Sequence, residues 1–211
     1  MKSEAMWNRL ANNWDTPGVS LGENDIRIIE KTKKYLDASS IVLDYGCATG
    51  SIAIEIAGIV KEAQGIDISS KMIEIARRKA DERKLNNTNF THATILDERL
   101  KQGSFDLILA LSILHLIEDS TQAIGRIHQL LKPGGLFISA TPCLGKNTFT
   151  STIIGKPLFL LSKIGILPHI NLFSVPKLVT SITNENFQII ENESLSVHPI
   201  TECFIIARSL K

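Results

Sequence analysis

The run Ile41-Val42-Leu43-Asp44-Tyr45-Gly46-Cys47-Ala48-Thr49-Gly50-Ser51 constrains this chain more than any other stretch. An apolar strand breaks into a turn of small residues that can open a helix, and a second apolar segment, Ile66-Asp67-Ile68, again ends on an acid. α/β proteins hold nucleosides this way. Glycine spacing narrows the ligand. A dinucleotide fingerprint needs glycine at the first, third and sixth turn positions so that backbone can close on a pyrophosphate. Those positions are Gly46, Ala48 and Ser51, and Asp44 would set a carboxylate against the phosphates. An acid there suits a cationic group such as an α-amino group, while Asp67 is placed to accept hydrogen bonds from ribose hydroxyls. The two acids together suit an amino acid joined to a nucleoside. Asp67 also has a plainer reading, as an acid capping the helix ahead of Ser69.

Leu43 to Gly50 resembles the Leu-Asp-x-Gly-Cys-Gly-Thr-Gly motif of class I S-adenosylmethionine-dependent methyltransferases, departing from it at Ala48. Ser104-Phe105-Asp106-Leu107-Ile108 resembles the start of that family's fourth strand, and Leu130-Leu131-Lys132-Pro133-Gly134-Gly135-Leu136-Phe137 its passage into the fifth. The resemblance covers 41–143 and implies a Rossmann-like α/β fold. This is a mainly parallel seven-stranded sheet with helices on both faces, an antiparallel closing strand, N-terminal helices and an apolar lid insertion after strand five. It implies S-adenosyl-L-methionine as cofactor. By the same resemblance Asp67 takes the ribose, Thr94 and Ile95 flank the adenine, and the turn through Gly46, Cys47, Ala48, Thr49 and Gly50 lies along the amino acid. Ile68, Met72, Ala93, Leu111 and Ser112 would complete the crevice with Asp44. Trp14, with Trp7, could lie against the sulfonium by cation–π attraction, or simply anchor the first helix.

Apolar periodicity divides the chain into alternating elements. Helices are expected over 4–14 and 23–36, with Pro17-Gly18 between them, then strands over 41–45, 62–67, 89–95, 105–111 and 136–141. A helix after Gly50 turns Ile52, Ala53, Ile56 and Ala57 inward. A second, capped by Ser69, turns in Ile73, Ala76 and Ala80, and a third, capped by Ser120, carries Ala123, Ile124, Ile127, Leu130 and Leu131 up to Pro133-Gly134. A helix over 176–183 and strands over 187–193 and 202–207 finish the chain. The reading is one domain, 1–211: N-terminal helices over 1–38, a cofactor-binding core over 39–143, a lid insertion over 144–175 and a closing helix and strand pair over 176–211.

The length of 211 residues with 44% hydrophobic content suits one sizeable core. A net charge of +1 provides no basic field for nucleic acid. Three cysteines without paired spacing argue against a disulfide framework or a metal site and suit a reducing, cytoplasmic setting. Glu4 and Asn12-Asn13 interrupt any apolar leader. The near-neutral total hides a polarised chain, because 120–184 holds no acid but carries Arg126, Lys132, Lys146, Lys156, Lys163 and Lys177. Inside it, an apolar stretch from Phe149 to Ile170 is broken by Gly155, Lys156, Pro157, Lys163, Gly165 and Pro168, so it cannot supply the roughly 20 apolar residues a bilayer span needs. It can cover the site or contact an anionic membrane through 146–177. The bland reading is helices packed on the sheet with their lysines in water.

Methyl transfer from a sulfonium asks chiefly for alignment in a dry pocket. A protonated acceptor needs a base as well. His115, four residues past strand four, is the first candidate and His169 in the insertion the second, each with packing as its alternative. Family members acting on planar nitrogens resemble one another in an Asn/Asp-Pro-Pro-aromatic turn after strand four. Ala110-Leu111-Ser112-Ile113-Leu114-His115 has no proline, which argues against DNA bases and amides. The expectation is a small, lipophilic acceptor, phenolic or anionic, with oxygen the favoured atom, methylated by a monomer or homodimer. The alternative is a protein that binds S-adenosylmethionine or S-adenosylhomocysteine without transfer, as a sensor or inactive paralogue.

Overall fold

The computed structural model describes residues 2–15, 22–143, 156–163, 169–197 and 200–211. Pro17-Gly18 and the parts of the insertion over 144–155 and 164–168 lie outside the described residues. Seven strands form one sheet: β1 (Ile41–Tyr45), β2 (Glu62–Asp67), β3 (Thr88–His92), β4 (Phe105–Leu111), β5 (Leu131–Cys143), β6 (Phe187–Val197) and β7 (Ile200–Ser209), in the order β3-β2-β1-β4-β5-β7-β6. The first five run parallel, and β7 lies antiparallel between β5 and β6. Helices α1 (Lys2–Ala11), α2 (Glu23–Lys33), α3 (Ser51–Ile56), α4 (Ser70–Glu82), α5 (Ser120–Leu130), α6 (Lys156–Lys163) and α7 (Val175–Thr183) accompany it. The expected Rossmann-like architecture is the one found.

Parallel strands covered on both faces must be apolar on both sides, so they read as continuous rather than alternating runs. In β4, Leu107 and Leu109 turn toward α3 and α4 with Val42, Ile56, Ile73 and Phe90, while Ile108 turns toward α5 and α7 with Leu43, Ile124, Ile127 and Leu178. Strand order leaves β1 in one direction for β2 and β3, and in the other for β4 and β5. The reversal at the carboxyl ends of β1 and β4 opens a crevice there.

Several boundaries differ from the sequence expectation. Asp119, not Ser120, caps α5, accepting the Gln122 N–H at 2.8 Å. Ser69 does cap α4, accepting the Met72 N–H at 3.1 Å. Strand β3 stops at His92 because the chain bends after the Ala93 N–H bonds the Asp67 carbonyl at 3.0 Å, leaving Thr94 and Ile95 in a loop. β5 begins at Leu131, and the Lys132-Pro133-Gly134-Gly135 stretch is absorbed as a bulge between the Phe105–Leu131 and Leu107–Leu136 pairings. β6 and β7 outrun their apolar cores because pairing with each other satisfies their polar ends.

Candidate active site

At the tip of β1 the N–H groups of Gly46 and Cys47 both reach the Ile66 carbonyl, at 2.8 and 3.0 Å, which folds the turn over the end of β2. Gly46 has φ 76°, and a Cβ there would lie 2.9 Å from the Ile113 side chain, so glycine lets the turn meet the loop after β4. Ala48 takes φ 47°, a region that glycine occupies without strain and alanine does not.

Both acids stand at the strand tips as the spacing suggested. Asp67 meets the helix-start reading and stands at the cleft: Oδ2 accepts the Ala48 N–H at 3.1 Å, Oδ1 accepts the Ser69 N–H at 2.7 Å, and the residue lines the cleft. Burial raises its carboxyl above the usual range against the pull of those N–H groups. Asp44 lies beneath the turn, 3% exposed. Its Oδ2 has no hydrogen-bond partner among the described residues. Burial first, and the nearby Asp67 charge second, push its carboxyl up to about 7. Neither acid forms an ion pair among the described residues.

The cleft has a volume of about 1070 Å³. Trp14, Gly46, Ala48, Asp67, Ile68 and Met72 line it, joined from the far side by Thr94, Ile95, Leu111 and Ser112. Asp44, Cys47, Thr49, Gly50 and Ala93 do not reach its wall. Cys47 is buried against Gly65, and Gly50 faces the Phe90 ring. Thr49 is buried away from the cleft, its hydroxyl donating to Asp15 at 2.8 Å beside Lys79.

Helix α1 forms the outer wall. The Asn8 carbonyl oxygen accepts the Ser69 hydroxyl at 2.6 Å and the Lys71 N–H at 3.2 Å, so α1 is tied to the start of α4. Glu4 and His92 approach to 3.3 Å. Trp7 and Trp14 meet edge to face, 6.1 Å between ring centroids, and both face the cleft with Arg9. Trp7 and Trp14 were expected here, whereas no motif marked Glu4, Asn8 or Arg9, because only packing brings α1 to α4. Tyr45, Leu116, Ile117, Glu118 and Gln122 were missed likewise, although the apolar spacing of Ile113, Leu116 and Ile117 shows one helical face.

The histidines exchange places relative to expectation. His115 sits in the single 3-10 turn Leu114–Leu116 and does not reach the cleft wall. Its Nδ1 is buried without a hydrogen-bond partner among the described residues, and burial lowers its pKa to about 4. His169 lines the cleft, its Nε2 3.0 Å from the Asn171 carbonyl oxygen. Among the described residues no three His, Cys, Asp or Glu side chains gather as a metal site. No described helix is long and apolar enough to cross a membrane.

Residues 36–169 match the family described as Methyltransferase domain. The chain belongs to this family, the S-adenosylmethionine-dependent methyltransferases. It is 23% identical over 212 residues to the ubiquinone biosynthesis O-methyltransferase of Coxiella burnetii strain RSA 493, covering 98% of this chain and 90% of the relative. It is 29% identical over 119 residues to the protein of the same name from Albidiferax ferrireducens, where the match covers 56% of this chain and only 47% of the relative. In fold it is similar to the [4+2]-cyclase SpnF, with a TM-score of 0.78 at 17% identity over 98% of this chain and 94% of that one.

Proposed function

We propose that the cleft binds S-adenosylmethionine along the Gly46–Gly50 turn and that the protein methylates a hydroxyl oxygen of a small, lipophilic, phenolic acceptor. The observation that carries the cofactor assignment is the pair of acids. A buried carboxylate with an unpartnered oxygen, Asp44, whose protonation the half-buried Asp67 beside it favours, fits a ligand bearing positive charge, and the group's ammonium and sulfonium supply it. Asp67 keeps free lone pairs on both oxygens for ribose hydroxyls. Thr94 and Ile95 then flank the adenine, and Trp14 covers the ligand from the turn after α1.

Bound there, the cofactor supplies an activated methyl group. The chain's own part is to orient the acceptor and keep water out, for which Ile113, Leu116 and Ile117 from the loop after β4 and Trp7 from α1 provide apolar walls. The oxygen acceptor is supported by the relatives named O-methyltransferases and by the absence of proline after β4. The whole chain, 1–211, acts as one catalytic unit in this reading.

The test is calorimetric titration with S-adenosylhomocysteine, followed by mass-spectrometric detection of methyl transfer to alkyl-substituted catechols and phenols. Binding with transfer to oxygen is expected. Binding with no transfer to any of these compounds would point to the cofactor-binding alternative, and no binding would refute the site.

A further inference from the structure

We propose that Nδ1 of His169 is the base that takes the acceptor's proton, and that Asn171 is the positioning residue that holds the ring by Nε2 and so places the neutral ring's lone pair on Nδ1. The inference rests on the hydroxyl acceptor proposed above.

Asn171 is fixed from three sides. Its backbone N–H donates to the His115 carbonyl at 2.6 Å, and its side-chain Nδ2 donates to the Ile117 carbonyl at 2.5 Å. A carbonyl can only accept, so the amide cannot be turned round, and Oδ1 must face His169. Oδ1 in turn can only accept. The His169 Nε2, 3.0 Å away, therefore carries the hydrogen, and in the neutral ring the lone pair is left on Nδ1. The Ile170 N–H donates to the Ser162 hydroxyl at 3.0 Å, which ties this short segment to α6. Both His169 and Ser162 line the cleft, whereas Asn171 stands behind them. The result is a cleft-lining imidazole held at Nε2 by a neutral acceptor that itself stands outside the lining, which leaves Nδ1 as the nitrogen assigned to the acceptor. The loop after β4 that supplies two of the three anchors also supplies the apolar wall at Ile113, Leu116 and Ile117.

In the reaction the acceptor oxygen forms a bond to the methyl carbon as its own hydrogen passes to Nδ1. The carbon–sulfur bond breaks with its electron pair left on sulfur, which becomes neutral. The imidazolium then returns its proton to water. Asn171, being neutral, leaves the ring free to lose that proton, where a carboxylate in its place would hold it.

Two measurements test this. Long-range ¹H–¹⁵N NMR of the S-adenosylhomocysteine complex should show His169 with hydrogen on Nε2 and a bare Nδ1, and Asn171→Ala should turn this into a mixture. A wild-type ring with hydrogen mainly on Nδ1 would overturn the proposal. In the catechol and phenol assay, His169→Gln should lower kcat by about 10² to 10⁴ and Asn171→Ala by about 10², with KM and S-adenosylhomocysteine affinity changed less than about threefold. Added imidazole should restore part of the rate to His169→Gly. A His169→Gln kcat within a few-fold of wild type, at undiminished cofactor affinity, would overturn the base assignment and leave the methyltransferase reading standing. A wild type that binds S-adenosylhomocysteine but methylates no hydroxyl would instead remove the acceptor class, and this proposal with it.

Discussion

The buried acid beneath the turn offers the sharpest test of the charge argument. Asp44 ionises at about 7 in the folded chain, whereas an unfolded aspartate ionises near 4. Between those values the folded state holds a proton that the unfolded state has lost, so stability falls as pH rises from about 4 and levels above about 7. Each pH unit in that window is worth about 1.4 kcal/mol, so from pH 5 to pH 7 the wild-type protein should lose about 3 kcal/mol through this one group. Asp44→Asn keeps the shape and cannot ionise. Its new N–H₂ needs a partner, which costs about 1 to 3 kcal/mol at every pH. The variant should thus be equal to or less stable than wild type at pH 5, and should gain on it by about 3 kcal/mol by pH 8. Urea unfolding of both proteins at the two pH values measures this, and their difference cancels every other titrating group. S-adenosylmethionine should stabilise the wild type more at pH 8 than at pH 5, because a cation in the cleft lets Asp44 ionise. A wild-type-to-variant difference that is the same at both pH values would show that Asp44 carries its charge without penalty, and the case for a cationic ligand would lose its basis.

Asp67→Ala should weaken S-adenosylhomocysteine binding by about 1.5 to 3 kcal/mol, the range for hydrogen bonds to a charged group; calorimetry showing wild-type affinity in the folded variant would remove Asp67 from the ribose site. Ala48→Gly should relieve the left-handed backbone at φ 47° and, after the extra freedom glycine has when unfolded, gain up to about 1 kcal/mol, seen as a rise of about 2 to 4 °C in Tm. An unchanged or lower Tm would mean that the surrounding turn already absorbs the strain. For 146–177, proposed as a contact with anionic membrane, α6 presents Leu160 at 63% exposure, and its sequence includes Lys163. Sedimentation with phosphatidylglycerol vesicles should be salt-sensitive and weaker in Leu160→Asp with Lys163→Glu, while equal sedimentation with neutral vesicles would leave this segment only its covering role. His115→Ala should change turnover only a few-fold, since the ring does not reach the cleft; a loss of a hundredfold with intact S-adenosylhomocysteine binding would return the base to that position.

Local chemistry was enough to place β1, β2 and β4 in the sequence. β1 and β4 are apolar runs that burial on both faces leaves nowhere else to go, while β2 is marked by Ala63, Gly65 and Ile66 buried between polar residues and by the acid at its tip. The cofactor class was also legible, because the places of Asp44, Gly46 and Asp67 at the strand tips are set by their immediate neighbours. Boundaries proved less legible where a long-range bond ends an element, as the Ala93 N–H to Asp67 carbonyl bond does for β3. Sequence spacing alone also put His115 forward first, and the structure does not bring it to the cleft wall. His115 is near the end of β4 along the chain, but the 3-10 turn after that strand carries its ring into the interior. His169 reaches the cleft only because Asn171, 54 residues beyond Ile117, bonds the same loop. The α1 wall depends likewise on Asn8 meeting Ser69 and Lys71 across more than 60 residues. Strand identity and turn chemistry are set within a few residues and can be read locally. Which side chains share a cleft is set by contacts between distant segments, and those exist only once the sheet has brought them together.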